Sequence, residues 1–183
     1  ELGSGMGLVG LALAVLGAKT VVLTDRKTPA GANLDFMDEA SAAEDQYALL
    51  NALELNVHLH RNQHSATCVV EQLDFGNALH IKQIQEAHGQ FGLIVGSDVT
   101  YDVATLPALA NTLRQLLGPP SAGALFLLAH DMRADTAALL AGLHAYGLRA
   151  DVVHKGDGVA IVSGGAGRGE EPGAGQHAGR KES

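Results

Sequence analysis

The sequence has one cysteine, no tryptophan and a deficit of basic residues. Of its 183 residues, 20 are Asp or Glu and 12 are Lys or Arg, so the formal net charge is −8. The lone Cys68 excludes an internal disulfide framework and fits a reducing compartment, which predicts a cytoplasmic or nuclear protein. A negative surface repels phosphate backbones and disfavours nucleic-acid binding. No apolar run reaches the roughly 18 residues of a membrane span, so we expect no membrane partner.

Several catalytic signatures are also missing. No G-x-S-x-G or Cys–His pattern indicates a covalent nucleophile. The nine histidines offer no convincing ligand spacing with a third partner, so we predict no metal site. Cys68 lies in an apolar run and is expected to be a small buried hydrophobic residue.

Short apolar runs alternate along the chain with helical patterns. The predicted strands are 21–25, 67–74, 91–99 and 124–130, followed by a hairpin of 148–154 and 158–164 that turns at Lys155-Gly156-Asp157. The predicted helices are 7–16, 46–58, 103–117 and 133–146. This alternation predicts an α/β domain with a mostly parallel sheet, helices on both faces and a C-terminal antiparallel hairpin.

Two segments do not fit this alternation. Residues 29–46 are rich in Ala, Asp and Glu with weak periodicity, and we interpret them as a surface insertion. Residues 164–183 mix glycines with charges, which predicts a disordered tail. The folded domain is therefore expected to cover residues 1–163.

The first ten residues, ELGSGMGLVG, hold four glycines ahead of an apolar helical run. Gly5, Gly7 and Gly10 fit G-x-G-x-x-G, a pattern that lets a backbone approach a nucleotide closely. Asp25 follows Gly5 by twenty positions and ends a predicted strand, where α/β folds place a carboxylate for ribose hydroxyls. Together these features predict a ligand that contains adenosine. Because such a loop normally follows a strand, we expect the first strand to be largely missing from this chain.

NAD and S-adenosylmethionine both satisfy this pattern. The loop is described more fully as E-x-G-x-G-x-G, from Glu1 to Gly7. A dinucleotide sets its anionic pyrophosphate against the helix N-terminus, and a carboxylate at Glu1 would oppose that anion. S-adenosylmethionine carries a sulfonium and an ammonium and no phosphate. Electrostatics therefore favours S-adenosylmethionine, and an NAD(P)-dependent oxidoreductase stays open as an alternative.

Four stretches in order, ELGSGMGLVGLALAVLGA, VVLTDRK, LDFGNAL and FGLIVGSDVTYD, resemble the class I, seven-β-strand methyltransferases. More closely they resemble methyltransferase family 16, protein-lysine methyltransferases that include the methyltransferase-like 21 enzymes. The resemblance extends to about residue 163. It implies a Rossmann-like seven-stranded sheet, S-adenosylmethionine as cofactor and a protein lysine as substrate. A small-molecule methyltransferase and a non-catalytic interaction module also stay open.

The resemblance also implies a role for individual residues. The loop under the methionine and ribose would comprise Gly3, Ser4, Gly5 and Gly7, with Glu1 facing the methionine amino group. Asp25 would accept both ribose hydroxyls. Asp74 and Phe75 would contact the adenine, with Phe75 standing where the family usually has Trp.

Ser97 and Asp98 end the predicted strand at 91–99, where the resemblance places a cofactor contact and the catalytic residues. Ser97 would line the mouth shared by cofactor and substrate. Asp98-Val99-Thr100-Tyr101 matches the family's D-x-x-Y motif, in which Asp98 and Tyr101 would orient the lysine amine.

Overall fold

A computed structural model describes residues 1–27, 47–100, 102–119, 122–131 and 135–167. Strands and helices alternate along these residues. In chain order they are α1 (Leu8–Val15), β1 (Thr20–Asp25), α2 (Ala48–His60), β2 (Thr67–Gln72), α3 (Ala78–His88), β3 (Leu93–Ser97), α4 (Leu106–Leu116), β4 (Leu125–Asp131), α5 (Thr136–Ala145), β5 (Leu148–Gly156) and β6 (Val159–Ala166).

The strands form a mixed sheet that is parallel in its first part. β1 pairs with β2 and β3 with β4, both in parallel, whereas β6 pairs antiparallel with β4 and β5. Leu2 joins the two parts through parallel bridges to Thr24 of β1 and Gly96 of β3. The predicted α/β class and the closing antiparallel hairpin are confirmed. The described residues contain six named strands besides this bridge, so the seven-stranded count stays a prediction.

Backbone hydrogen bonds fix the N-terminal residues in the middle of the sheet. The Leu2 amide donates to the Val95 carbonyl at 2.8 Å, and the Thr24 amide donates to the Glu1 carbonyl at 2.9 Å. The glycine loop therefore starts between the carboxyl ends of β1 and β3, the edge at which parallel α/β sheets bind ligands.

Two apolar clusters hold the helices against the sheet. The larger one packs α3, α4 and α5 on β3, β4 and β6 around the fully buried Phe126. The smaller one joins α1, β1 and α2 through Ala14, Val21, Leu23 and Leu53. Burial of this apolar surface is the main stabilising contribution to the fold. None of the helices in the described ranges is long and apolar enough to cross a membrane.

The helix α3 was missed by the sequence prediction. It buries only Ile81 and Ile84, so its apolar stripe is too narrow to stand out from a polar surface. Its ends nevertheless carry recognisable signals. The Asn77 side chain accepts hydrogen bonds from the amides of Leu79 and His80, and Gly89 follows the last turn.

The hairpin turn lies two residues later than predicted. Lys155 and Gly156 belong to β5, and the turn consists of Asp157 and Gly158, whose φ angles are 52° and 80°. Two consecutive positive φ values are typical of the two-residue turns that match strand twist. The correction follows from turn chemistry, since Asp-Gly is a better hairpin signal than Lys-Gly-Asp.

Other segment boundaries also need correction. β6 continues to Ala166, so residues 164–166 are strand rather than tail. Cys68 is half-buried on β2, and desolvation raises the pKa of its thiol. The helix expected at 133–146 begins at Thr136, because Asp135 is extended and its side chain caps the helix by accepting from the amides of Ala137 and Ala138. The proposed insertion at 29–46 and the tail from residue 168 lie outside the described residues, so those predictions stay predictions.

Candidate functional site: a cleft at the carboxyl ends of β1 and β3

The glycine loop needs glycine for two separate reasons. Gly3 has a φ of 59°, and a Cβ there would lie 2.7 Å from Cγ1 of Val99, so no larger residue fits. Gly5 has a φ of 53°, yet nothing lies within 4 Å of the position its Cβ would take. The backbone at Gly5 therefore faces open space that a ligand can approach.

Asp25 and Gly5, which the fingerprint spacing relates, are in direct contact. The Gly5 amide donates to Oδ2 of Asp25 at 2.7 Å, and the Arg26 amide donates to Oδ1 at 2.8 Å. Burial raises the pKa of the Asp25 carboxyl, and these two hydrogen bonds oppose the rise. Each carboxylate oxygen can accept a further hydrogen bond, so Asp25 can hold the loop and still receive ligand hydroxyls.

Six of the predicted site residues line one cleft with a volume of about 420 Å³. They are Gly3, Gly5, Asp25, Asp74, Phe75 and Asp98. The cleft is completed by Arg26, Leu49, Leu73, Val99, Thr105 and Ala108. The fold thus brings together residues from four separate connections, and none of these six completing residues had been predicted as a site residue from the sequence.

Glu1 and Ser4 do not line the cleft, and their side chains hold the loop in place. Oε2 of Glu1 accepts a hydrogen bond from the Gly10 amide at 2.8 Å, and burial raises the pKa of this carboxyl. The Ser4 hydroxyl accepts from the Thr24 amide at 2.9 Å and donates to the Glu1 carbonyl at 3.3 Å. Both side chains therefore fix the loop against α1 and β1.

Gly7 also lies outside the cleft lining. It is buried, and a Cβ there would lie 2.6 Å from Cδ1 of Leu53 on α2. In the described residues, Gly7 lets the loop pack closely on the smaller apolar cluster. The spacing of the motif alone does not reveal this contact.

Asp74 and Phe75 follow β2 and form one side of the cleft. Phe75 is half-buried and packs against the larger apolar cluster. The carboxylate of Asp74 lies 3.3 Å from Nδ1 of His80, and the Gly76 amide donates to the Thr112 hydroxyl at 2.8 Å. Neither His80 nor Thr112 was predicted as a site residue. Thr112 is thirty-six positions from Gly76, whereas His80 directly follows the stretch LDFGNAL but carries no motif signal of its own.

Asp98 lies where the cleft meets a second cavity. It is exposed and has a φ of 55°, which is uncommon for a residue with a side chain and is best tolerated by Asn and Asp. It lines both the cleft and a neighbouring cavity of about 560 Å³. Ser97 lines only this second cavity, together with Ala129, His130, Asp131, Asp157, Gly158 and Val159. The predicted catalytic residue Tyr101 lies outside the described residues.

The geometry suits a two-substrate reaction. A cleft with a carboxylate, an aromatic ring and free loop backbone can hold an adenosine-containing ligand. The adjacent cavity is acidic, and Asp98 reaches both spaces. Within the described ranges, no group of three His, Cys, Asp or Glu side chains could hold a metal ion.

Comparison with known structures shows the same fold in methyltransferases. The ribosomal protein L11 methylase of Lactobacillus delbrueckii subsp. bulgaricus superposes with a TM-score of 0.60 at 17% identity, over 91% of this chain and 68% of the other. The glycopeptide N-methyltransferase MtfA, solved with S-adenosylmethionine, gives a TM-score of 0.61 at 15% identity, over 90% of this chain and 79% of the other.

Sequence comparison gives closer relatives. The protein N-lysine methyltransferase METTL21A of Danio rerio is 36% identical over 117 residues, and that of Mus musculus is 34% identical over 117 residues. In both cases the match covers 63% of this chain and 42% of the relative, so the chain spans less than half the length of these curated proteins. The family profile described as lysine methyltransferase matches residues 37–139. This match covers more than half of the sequence, and the chain therefore belongs to the lysine methyltransferases of family 16.

Proposed function

We propose that this chain binds S-adenosylmethionine in the cleft at the carboxyl ends of β1 and β3 and methylates a lysine side chain of a protein. The observation that carries the proposal is the contact of Asp25 with the Gly5 amide at 2.7 Å. It sets a carboxylate beside open glycine backbone in a chain whose relatives are named as protein N-lysine methyltransferases.

Cofactor recognition would combine hydrogen bonding and stacking. Asp25 would accept the two ribose hydroxyls, and Gly3 and Gly5 would let the loop backbone approach the ligand. Phe75 would pack beside the adenine, and the Asp74 carboxylate would accept from its amino group. Glu1, Ser4 and Gly7 would contribute by holding the loop in shape, since their side chains or Cβ positions face protein.

Acceptor binding would take place around Asp98. S-adenosylmethionine supplies a methyl group on a sulfonium with an excellent leaving group, so the protein mainly has to position the amine and exclude water. The carboxylate of Asp98 would orient the lysine amine, and Tyr101 would assist. A lysine must lose its proton before it can attack, and a desolvated channel favours that loss.

The composition of the chain bears on its partner and its compartment. The acceptor would be a protein with an accessible lysine, and a net charge of −8 favours basic over nucleic-acid partners. The scarcity of cysteine supports a reducing compartment such as the cytoplasm or nucleus.

Calorimetry followed by mass spectrometry tests the proposal in two steps. The 183-residue chain is titrated with S-adenosylhomocysteine and, as a control, with NADH. We expect saturable binding of the first and none of the second, and the reverse result would refute the cofactor assignment. Incubation of the 183-residue chain with a lysate and methyl-labelled S-adenosylmethionine should then place label on protein lysines. Label found only in small metabolites would refute the protein substrate.

A further inference from the structure

Thr100 and His130 form a buried contact beside the proposed acceptor site. Oγ1 of Thr100 lies 2.5 Å from Nδ1 of His130, and the two residues are 3% and 2% exposed. We propose that Thr100 and His130 are positioning residues that hold the loop of residues 98–100 so that Asp98 stays between the cleft and the second cavity. The inference rests on the proposed function, because Asp98 has a role in turnover only there.

Two neighbouring residues of β4 hold this short loop at two points. The Asp98 amide donates to the carbonyl of Ala129 at 3.1 Å, and the next residue, His130, contacts Thr100. The three residues from Asp98 to Thr100 are therefore fixed at both ends to the same strand. The second cavity is lined by Ala129 and His130 as well as by Asp98.

The backbone at Asp98 requires such support. A φ of 55° on a residue with a side chain is uncommon and persists only where surrounding contacts enforce it. Val99, 6% exposed, adds a third contact, since its Cγ1 lies 2.7 Å from the position of a Cβ on Gly3. A shift of the loop would thus move Asp98 out of its place between the cleft and the second cavity.

The ring of His130 in turn uses Thr100 as the hydrogen-bond partner of its Nδ1. Its Nε2 is buried and has no hydrogen-bond partner among the described residues. Removal of the Thr100 hydroxyl would leave both ring nitrogens of a buried histidine without a described partner. Buried polar groups without partners are costly, so the loop should move or open to admit water when the hydroxyl is lost.

Hydrogen exchange tests the contact without reference to activity. Thr100→Val keeps the shape of the side chain and removes the hydroxyl. We expect the Asp98 amide to exchange about tenfold faster in this variant. Thr112→Val is the matched control, because Thr112 is also a buried threonine whose hydroxyl holds a loop amide, that of Gly76. Unchanged exchange at Asp98 in Thr100→Val, or the same acceleration there in Thr112→Val, would overturn the inference.

A double-mutant cycle tests whether the contact acts through Asp98. Thr100→Val should lower kcat about tenfold with little change in S-adenosylhomocysteine affinity. Thr100→Ser, which keeps the hydroxyl, should have the kcat of the native chain. In an Asp98→Asn background, Thr100→Val should have no further effect on kcat. An equal loss in both backgrounds would mean a purely structural role and would refute positioning. If the native chain transfers no methyl group, the proposed function fails, whereas the exchange experiment still decides whether the pair holds the loop.

Discussion

Removal of the Asp25 carboxylate provides a direct test of the proposed cofactor site. In the structure its two oxygens already accept the amides of Gly5 and Arg26 at 2.7 and 2.8 Å, which fixes the carboxylate at the edge of the cleft. Hydrogen bonds to a charged group contribute about 1.5–3 kcal/mol each. We therefore expect Asp25→Ala to weaken S-adenosylhomocysteine binding by at least that amount, which corresponds to about a 10- to 150-fold increase in Kd.

Isothermal titration calorimetry with S-adenosylhomocysteine measures this change. Asp151→Ala is a suitable control, because Asp151 is exposed on β5 and does not line the cleft. The control should bind with the affinity of the native chain. Circular dichroism of both variants establishes that they are folded. An unchanged Kd for folded Asp25→Ala would refute the assignment of this residue to the ribose hydroxyls.

Three further predictions concern catalysis, pH and stability. Asp98→Asn, which keeps a residue tolerant of positive φ, should lower kcat about 10- to 100-fold in a methyl-transfer assay and leave cofactor Kd nearly unchanged; the reverse pattern would assign Asp98 to the cofactor. Because burial raises the pKa of Asp25, calorimetric titrations at decreasing pH should show cofactor affinity falling at a higher pH than an aspartate with an ordinary pKa would give, and a constant affinity through this range would contradict the assignment of Asp25. The contribution of Asp25 to the free energy of unfolding, measured by urea denaturation, should decline as pH rises from the ordinary to the raised pKa, because the folded state then no longer gains from its tighter proton binding. A Cβ at Gly164 would meet a carbonyl of β5 and lie 2.5 Å from Cζ of Phe126. Gly164→Ala should therefore lower the free energy of unfolding, measured by urea denaturation, by about 3 kcal/mol or more. The control Gly92→Ala should not lower it, because nothing lies within 4 Å of that Cβ position, and equal stabilities of the two variants would refute the packing argument.

The glycine-loop side of the cleft, where we propose that the cofactor binds, was predictable from the sequence because its geometry follows from local rules. A glycine-rich strand-to-helix turn and an acid at the end of the next strand must lie close together in a parallel α/β sheet. That rule brought Gly5 and Asp25 together correctly. The rule does not give the direction of side chains. The family resemblance placed Glu1 and Ser4 at the ligand, whereas their hydrogen bonds in the structure hold the loop to α1 and β1.

The surroundings of Asp98, where we propose that the acceptor binds, were less predictable because they depend on contacts between distant residues. Thr100 and His130 are thirty positions apart, and no motif connects them. On the other side of the cleft the same holds for Thr112 and Gly76, which are thirty-six positions apart. Such pairs become visible only when the sheet order places β4 next to β3 and α4 over the connection that follows β2. Periodicity gave the strands and most helices, but it could not give these side-chain partners.

The order of the last strands limits how this chain can assemble. β6 is the final strand in sequence, yet it lies between β4 and β5 and pairs with both. During synthesis from the N-terminus, β5 has no partner strand and β4 keeps an open edge until residues 159–166 have left the ribosome. A nascent or prematurely terminated chain that stops before Val159 would thus expose two unpaired edges, and such edges are templates for aggregation.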